Sequence, residues 1–122
     1  MLEKPQKNTS YKNEWEAVLL KVWTRDKYRC VLTGESKWSK LERTPHHCFR
    51  KSEYFGKDRD EAWNLVTISR EAHRKIHFGN TKEETDLGKE YDKRVKLLAM
   101  SFYKGKNIKK LEETFRNRHG KL

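Results

Sequence analysis

The sequence predicts an α+β fold, in which a short antiparallel hairpin and a helix are surrounded by N-terminal and C-terminal helices. Three observations support this fold class. Apolar residues recur at helical spacing near both ends of the 122-residue chain. Short β-favouring segments lie between those ends. Glycine, proline and polar turn residues separate these segments from one another.

The N-terminal segment is predicted to be a tail followed by one helix. Residues 1–13 are polar and lack periodicity, so we interpret them as a flexible tail. Asn13 is a suitable N-cap for a helix that begins at Glu14 and ends near Arg25 or Asp26. The apolar residues that share one face of this helix are Trp15, Val18, Leu19, Val22 and Trp23.

Two extended segments and a loop are predicted next. Residues 28–32 favour a strand and are followed by turn residues. Residues 41–47 favour a second strand, although Pro45 limits its pairing. The two segments are therefore predicted to form a short irregular hairpin that ends in a pair of histidines. Residues 50–60 are predicted to be a polar loop.

A short helix is predicted after the loop. Residues 64–68 are a short apolar run, and Ser69 is a good N-cap for a helix that carries His73 and His77. Gly79-Asn80 is expected to end that helix. Residues 14–80 would then form the central part of the domain.

Residues 81–122 are predicted to be a basic, helical C-terminal extension. A long helix is expected over about residues 82–103, followed by a last short helix after Gly105. Their apolar stripes comprise Leu87, Tyr91, Val95, Leu98 and Phe102 in the first and Ile108, Leu111 and Phe115 in the second.

The charge balance indicates a polyanionic partner. The net charge is +11, and 39% of the residues are charged. Nucleic acid is the usual partner of such a surface, although chromatin, ribosomal and membrane-surface proteins are also basic. The chain has no apolar run of membrane-spanning length, no signal-peptide pattern at its start, and too few cysteines for a disulfide framework. We therefore expect a cytoplasmic protein that does not engage a membrane.

Histidines are concentrated in the central part of the domain. His46 and His47 are adjacent at the end of the predicted hairpin. His73 and His77 are four residues apart, so both rings project from one helix face. Asn64 lies between the two groups. This arrangement predicts a compact site for a divalent metal.

These residues resemble the HNH endonuclease family, and specifically its ββα-metal fold. The matching stretches are Arg25-Asp26-Lys27-Tyr28-Arg29-Cys30, His46-His47, Asn64-Leu65-Val66-Thr67, and the pair His73 and His77. The resemblance covers roughly residues 14–80, and the helical His-x-x-x-His ending is similar to that of colicin-type DNases.

The sequence departs from the family at the cysteines. Many members carry two Cys-x-x-Cys pairs that hold a structural zinc. Here the corresponding residues are Cys30 with Thr33 and Ser69 with Ala72, so three of the four thiols are absent. We expect no structural zinc, a buried apolar Cys30, and a tryptophan-rich first helix that holds the hairpin instead.

The resemblance implies a role for each site residue. His47 would be the general base, a task that suits a neutral imidazole. His46 and His73 would ligate one divalent metal ion (Mg, Mn, Ni or Zn), with His77 as a third ligand. Asn64 would position the base through hydrogen bonds to backbone. The implied activity is hydrolysis of DNA phosphodiester bonds, by nicking or double-strand cleavage, to a 5′-phosphate and a 3′-hydroxyl.

The cations near this site are candidate contacts to double-stranded DNA: Arg25, Arg50, Lys51, Arg70, Arg74 and Lys75. Any of them also suits an ordinary solvated role. The basic segment from Lys104 to Lys121 is either a second DNA-binding element or a solvated helix. No sequence-reading module is evident, so specificity is expected to be weak unless a homodimer or a partner protein supplies it.

Alternative functions stay open at this point. A purely structural zinc site would leave His47 without a role. A non-catalytic basic DNA-binding protein would retain the fold without using His47 and Asn64 for chemistry. A structure-specific or RNA nuclease would use the same chemistry, and no residue reads a 2′-hydroxyl. A phage or mobile-element origin fits only by analogy.

Overall fold

The computed structural model describes residues 6–36 and 43–122. Within these ranges the fold is α+β, with four α-helices and one two-stranded antiparallel sheet, as the sequence predicted at that level. The helices are α1 (Gln6–Arg25), α2 (Arg70–His77), α3 (Lys82–Phe102) and α4 (Ile108–His119), and the strands are β1 (Arg43–His47) and β2 (Leu65–Ser69). Short 3₁₀ helices span Lys57–Asp60 and Ala62–Asn64. No helix in the described ranges is both long and apolar enough to cross a bilayer.

Helix α1 begins earlier than predicted. It starts at Gln6 rather than at Glu14, so residues 6–13 of the predicted tail are helical, whereas residues 1–5 lie outside the described residues. No glycine or proline interrupts residues 6–25, which lets polar residues continue the helix upstream of its apolar face. After the helix, Lys27 and Tyr28 adopt positive φ angles of 59° and 55°, and these turn the chain away.

The predicted pairing of the strands is wrong. β1 pairs with β2, and His46 lies opposite Val66. Residues 28–32 were predicted as the partner, but they contribute a single-residue bridge and an amide hydrogen bond from Val31 to the carbonyl of Thr67 (3.0 Å). All five residues of β2 are buried. This strand lies between β1, with which it pairs, and Val31, which bonds to its other edge. Residues 41–42 of the predicted strand lie outside the described residues.

Two neighbouring residues at the end of α1, Arg25 and Asp26, form an ion pair that joins this helix to β2 and to the residues before it. The Arg25 guanidinium donates to the carbonyl oxygens of Ala62 (2.9 Å) and Leu65 (2.6 Å). The neighbouring carboxylate of Asp26 accepts from the amide of Thr67 (2.8 Å). Charged side chains at the end of the first helix therefore join it to the sheet.

The three C-terminal helices lie where the sequence predicted them. In α3, Val95 and Ala99 are fully buried. Leu87 was predicted in the apolar stripe of this helix, but its side chain is 38% exposed and lies outside the core. In α4, Leu111 and Phe115 are fully buried. Cys30 is buried as well, in agreement with the sequence.

Helix α2 packs closely on α3 at a glycine. A Cβ atom added at Gly88 would lie 2.0 Å from the carbonyl oxygen of Lys75, which no real contact allows. The absence of a side chain at Gly88 therefore lets the two helices approach each other.

Candidate metal centre

The adjacent histidines of β1 point to opposite sides of the strand, as strand geometry requires. The side chain of His46 is 2% exposed and faces the protein interior. The side chain of His47 is 29% exposed and faces outward. One strand end thus supplies an interior imidazole and a solvent-accessible imidazole at neighbouring positions.

Helix α2 brings two further imidazoles to the interior one. The hydroxyl of Ser69 accepts a hydrogen bond from the amide of Ala72 (3.1 Å) and caps the helix start as predicted. Because His73 and His77 are one turn apart, their Nε2 atoms lie 3.1 Å from each other. The ring of His46 lies 5.3 Å and 5.7 Å from these two rings, centroid to centroid.

The three imidazoles form a group that could hold a metal ion. One ligand nitrogen from each of His46, His73 and His77 lies within 4.8 Å of the others. Nitrogen ligands about 2.0–2.1 Å from a shared ion are separated by roughly 3 Å, so only small side-chain adjustments are needed. Exposure rises from His46 through His73 to His77, so the group opens to solvent on one side. That opening would admit a substrate oxygen.

The charge state of the group suits cation binding. Burial, together with the neighbouring His73 and His77, lowers the pKa of His46 to about 3. Burial likewise lowers the pKa of His73 and of His77, and the positive charge of Arg50 acts in the same direction on both. The Nε2 atom of His46 is buried and has no hydrogen-bond partner among the described residues. A neutral imidazole with an unsatisfied nitrogen is what a divalent cation requires.

His47 is held by a carboxylate that the sequence analysis missed. Its Nε2 atom lies 2.8 Å from Oδ1 of Asp60, and its ring stacks on Trp15 with an interplanar angle of 12°. A proton on Nε2 donated to this carboxylate leaves Nδ1 with a free lone pair. Asp60 was part of the predicted polar loop, and its single signal in the sequence was a carboxylate in the stretch that leads to Asn64.

Asn64 acts on the backbone, as the sequence analysis expected. Its buried side-chain oxygen accepts from the amide of Phe49 (2.8 Å). Its Nδ2 atom donates to the carbonyl oxygens of Phe49 (2.9 Å) and Arg59 (2.9 Å). These bonds hold the start and the end of the loop after His47, and the end of that loop carries Asp60. Asn64 therefore fixes the geometry of the His47–Asp60 pair.

The predicted DNA-contacting cations divide into two groups. Arg25 donates to two carbonyl oxygens and its guanidinium lies over the ring of Phe102 (4.2 Å to the ring centroid), so it has a structural role. Arg74 is paired with the carboxylates of Glu71 (2.8 Å) and Glu84 (2.9 Å), which neutralise its charge.

The other four predicted cations lie at the edge of the histidine group or are at least partly exposed. Nη1 of Arg50 lies 3.4 Å from Nδ1 of His77, at the edge of the histidine group. Lys51 and Arg70 are exposed, and Lys75 is partly exposed. These four side chains stay candidates for phosphate contacts.

His119 lies near the end of the basic helix α4, but its side chain is not solvated. Its side chain is 8% exposed, and its Nε2 atom lies 2.7 Å from Oδ2 of Asp92. The same buried carboxylate is 2.8 Å from Nζ of Lys96, which is also 3.2 Å from Oε1 of Glu53. Glu53 in turn accepts from the amide of Arg50 (2.9 Å), so this buried network connects α3 and α4 to the loop after His47.

Burial opposes ionisation of Asp92, yet its carboxyl is held in the charged form. Burial would raise the pKa of this group, but the Lys96 ammonium and the hydrogen bonds from Lys96 and His119 outweigh that effect and lower it. Asp92 and Lys96 are four residues apart on α3, whereas Glu53 and His119 are remote from them along the chain, so the sequence contained no local signal for the complete network.

Comparison of the chain with protein-family models, with curated proteins and with solved structures found no match.

Proposed function

We propose that this protein is a metal-dependent DNA endonuclease of the HNH type, with β1, β2 and α2 as its ββα-metal core. One observation carries the proposal. Three neutral imidazoles converge on one point, and the adjacent His47 faces the opposite side of the strand beside a carboxylate. A structural metal site alone would leave the held, solvent-accessible His47 without a function.

Each residue of the site has a task in phosphodiester hydrolysis. His47 takes a proton from the attacking water at Nδ1, since Asp60 retains the proton on Nε2. Asp60 also stabilises the imidazolium that results. Asn64 holds the two ends of the loop between them through hydrogen bonds to the backbone of Phe49 and Arg59. The oxygen of the attacking water bonds to phosphorus while the bond from phosphorus to the 3′ oxygen breaks, and the 3′ oxygen takes up a proton from solvent. The products are a 5′-phosphate and a 3′-hydroxyl.

His46, His73 and His77 would hold one divalent ion. Bound there, the ion supplies Lewis-acid stabilisation of the negative charge that develops on the phosphate and leaving oxygens. Imidazole ligands favour Zn, Ni or Mn over Mg on affinity grounds. Mg is compatible if phosphate oxygens and waters complete its coordination.

DNA is the substrate that the charge supports. The net charge of +11 favours a polyanion, and Arg50 lies at the edge of the histidine group. Lys51, Arg70 and Lys75 add cations on the segments that flank the site. Contacts of this kind bind phosphates without reading the base sequence.

A plasmid assay with a pair of histidine variants tests the proposal. Supercoiled plasmid is incubated with the protein and Mg, Mn, Ni or Zn, and with EDTA as the metal-free control. We expect cleavage that EDTA abolishes. His47→Ala should lower the cleavage rate about 10²–10⁴-fold and retain metal affinity measured by calorimetry. His73→Ala is the matched control, which should lower both cleavage and metal affinity.

Three outcomes would contradict the proposal. Plasmid that stays intact with every metal, while the protein still binds DNA, would favour the non-catalytic DNA-binding alternative. Undiminished cleavage by His47→Ala would show that His47 is not the general base. Unchanged metal affinity in His73→Ala would show that the ligand set is wrong.

A further inference from the structure

A phenylalanine is held outward on the loop that follows His47. The side chain of Phe55 is 77% exposed, the largest fraction among the large hydrophobic residues in the described ranges. The preceding Tyr54 is 1% exposed, and its hydroxyl donates to Asp58 (2.7 Å) and accepts from Asn107 (3.1 Å). The backbone beside Phe55 is therefore anchored on the protein.

Glycine 56 explains the direction of the Phe55 ring. A Cβ atom added at Gly56 would lie 2.1 Å from the hydroxyl oxygen of Tyr54, so the backbone passes directly over the Tyr54 ring. Only glycine permits this close approach. Because the interior position is filled by Tyr54, Phe55 is left on the solvent side.

Both ends of this loop touch the candidate site. At the start of the loop, Arg50 lies 3.4 Å from His77. At its end, Asp60 lies 2.8 Å from His47. Between them, the exposed lysines Lys51 and Lys57 are on either side of Phe55 in the sequence. An exposed aromatic ring between cations is the combination that binds nucleobases together with their phosphates.

We propose that Phe55 stacks on an unpaired nucleobase next to the phosphate that is cleaved. A phenyl ring covers only a base whose face is open, and opening a base within a continuous duplex costs free energy. The preferred substrates would therefore be DNA with a bulge, a gap or a single-strand junction at the cleavage site. This inference rests on the proposed endonuclease function, because it places the DNA backbone at the histidine group.

Binding measurements separate this inference from the nuclease proposal. The parent is His47→Ala, so that cleavage does not interfere, and salt is kept constant because phosphate contacts depend on it. The probes are a continuous duplex and the same duplex with a one-nucleotide bulge that carries a fluorescent adenine analogue. Stacking of an aromatic ring quenches the emission of that analogue.

We expect tighter binding of the bulged probe than of the duplex, with quenching. Adding Phe55→Ala should weaken binding of the bulged probe roughly 5- to 150-fold, remove the quenching, and leave duplex binding within about twofold. Phe55→Trp should restore both. The matched control is Leu97→Ala, another exposed apolar side chain, which is 42% exposed on α3 and should change neither probe.

Three results would overturn the inference. They are equal binding of the two probes by the parent, unchanged binding and quenching after Phe55→Ala, and an equal loss on both probes. None of them bears on metal-dependent cleavage, which the plasmid assay measures separately. Conversely, an absence of cleavage with every metal would reject the nuclease proposal and leave the stacking measurement interpretable.

Discussion

Replacement of Gly88 by alanine should destabilise this protein, although helix propensity alone predicts the opposite. Alanine in a helix interior is favoured over glycine by about 1 kcal/mol. At Gly88, however, the new Cβ would lie 2.0 Å from the carbonyl oxygen of Lys75 and 2.8 Å from its carbonyl carbon. Backbone atoms cannot rotate away, so α2 and α3 would have to separate by about 1 Å to relieve the overlap. Overpacking of this kind costs about 1–3 kcal/mol.

Once the gain in helix propensity is subtracted from the cost of overpacking, the net effect expected for Gly88→Ala is a loss of up to about 2 kcal/mol in the free energy of unfolding. The assay is urea denaturation without added metal. The matched control is Lys89→Ala, at the adjacent exposed position of α3, which should leave the midpoint nearly unchanged. Since α2 carries His73 and His77, the displacement should also weaken metal binding measured by calorimetry. A midpoint for Gly88→Ala above that of the parent protein would refute the reasoning.

Three further predictions follow from buried or engaged charges. Because the pKa of His46 is about 3 when folded and 6.5 when unfolded, the unfolded chain binds the extra proton below pH 6.5. The free energy of unfolding of the metal-free protein should therefore fall as the pH decreases below 6.5, and this group should account for a loss of about 2 kcal/mol at pH 5. A urea midpoint that does not change between pH 7 and pH 5 would contradict this prediction. Lys96→Met should cost about 3 kcal/mol in urea unfolding, because it removes the buried ammonium that pairs with the buried carboxylate of Asp92. A cost below about 1 kcal/mol would show that the contacts of Asp92 with Arg118 and His119 suffice. Arg25→Met should lower the free energy of unfolding by about 2 kcal/mol and leave DNA affinity unchanged at every salt concentration. A weaker dependence of DNA affinity on salt in this variant would show that Arg25 contacts a phosphate.

The parts of the site that depend on local spacing were predictable. Residues four apart on a helix share a face, so His73 and His77 were expected together. Ser69 as a cap and Asn64 as a backbone-binding residue were also expected, and both are observed. Cys30 is buried as expected for a thiol without metal-binding partners.

The parts that depend on distant contacts were not predictable. The β-favouring residues 28–32 have the composition of a strand, yet β1 pairs with β2, because β2 is the segment that is completely buried. The sequence offered Arg25 only as a candidate DNA contact, and it gave no sign of the hydrogen bonds from its guanidinium to two remote carbonyl oxygens. The contact of His119 with Asp92 likewise depends on how α4 packs on α3.

By itself, the sequence determined the three helices within residues 70–119 and the identity of the histidines that can meet. Periodicity, caps and side-chain chemistry act over a few residues, so they can be read directly from the chain. Only the tertiary structure decided which strand His46 pairs across, which carboxylate holds His47, and which cations are engaged inside the protein. Those choices depend on burial and on contacts between segments that are remote in sequence, and no local pattern encodes them.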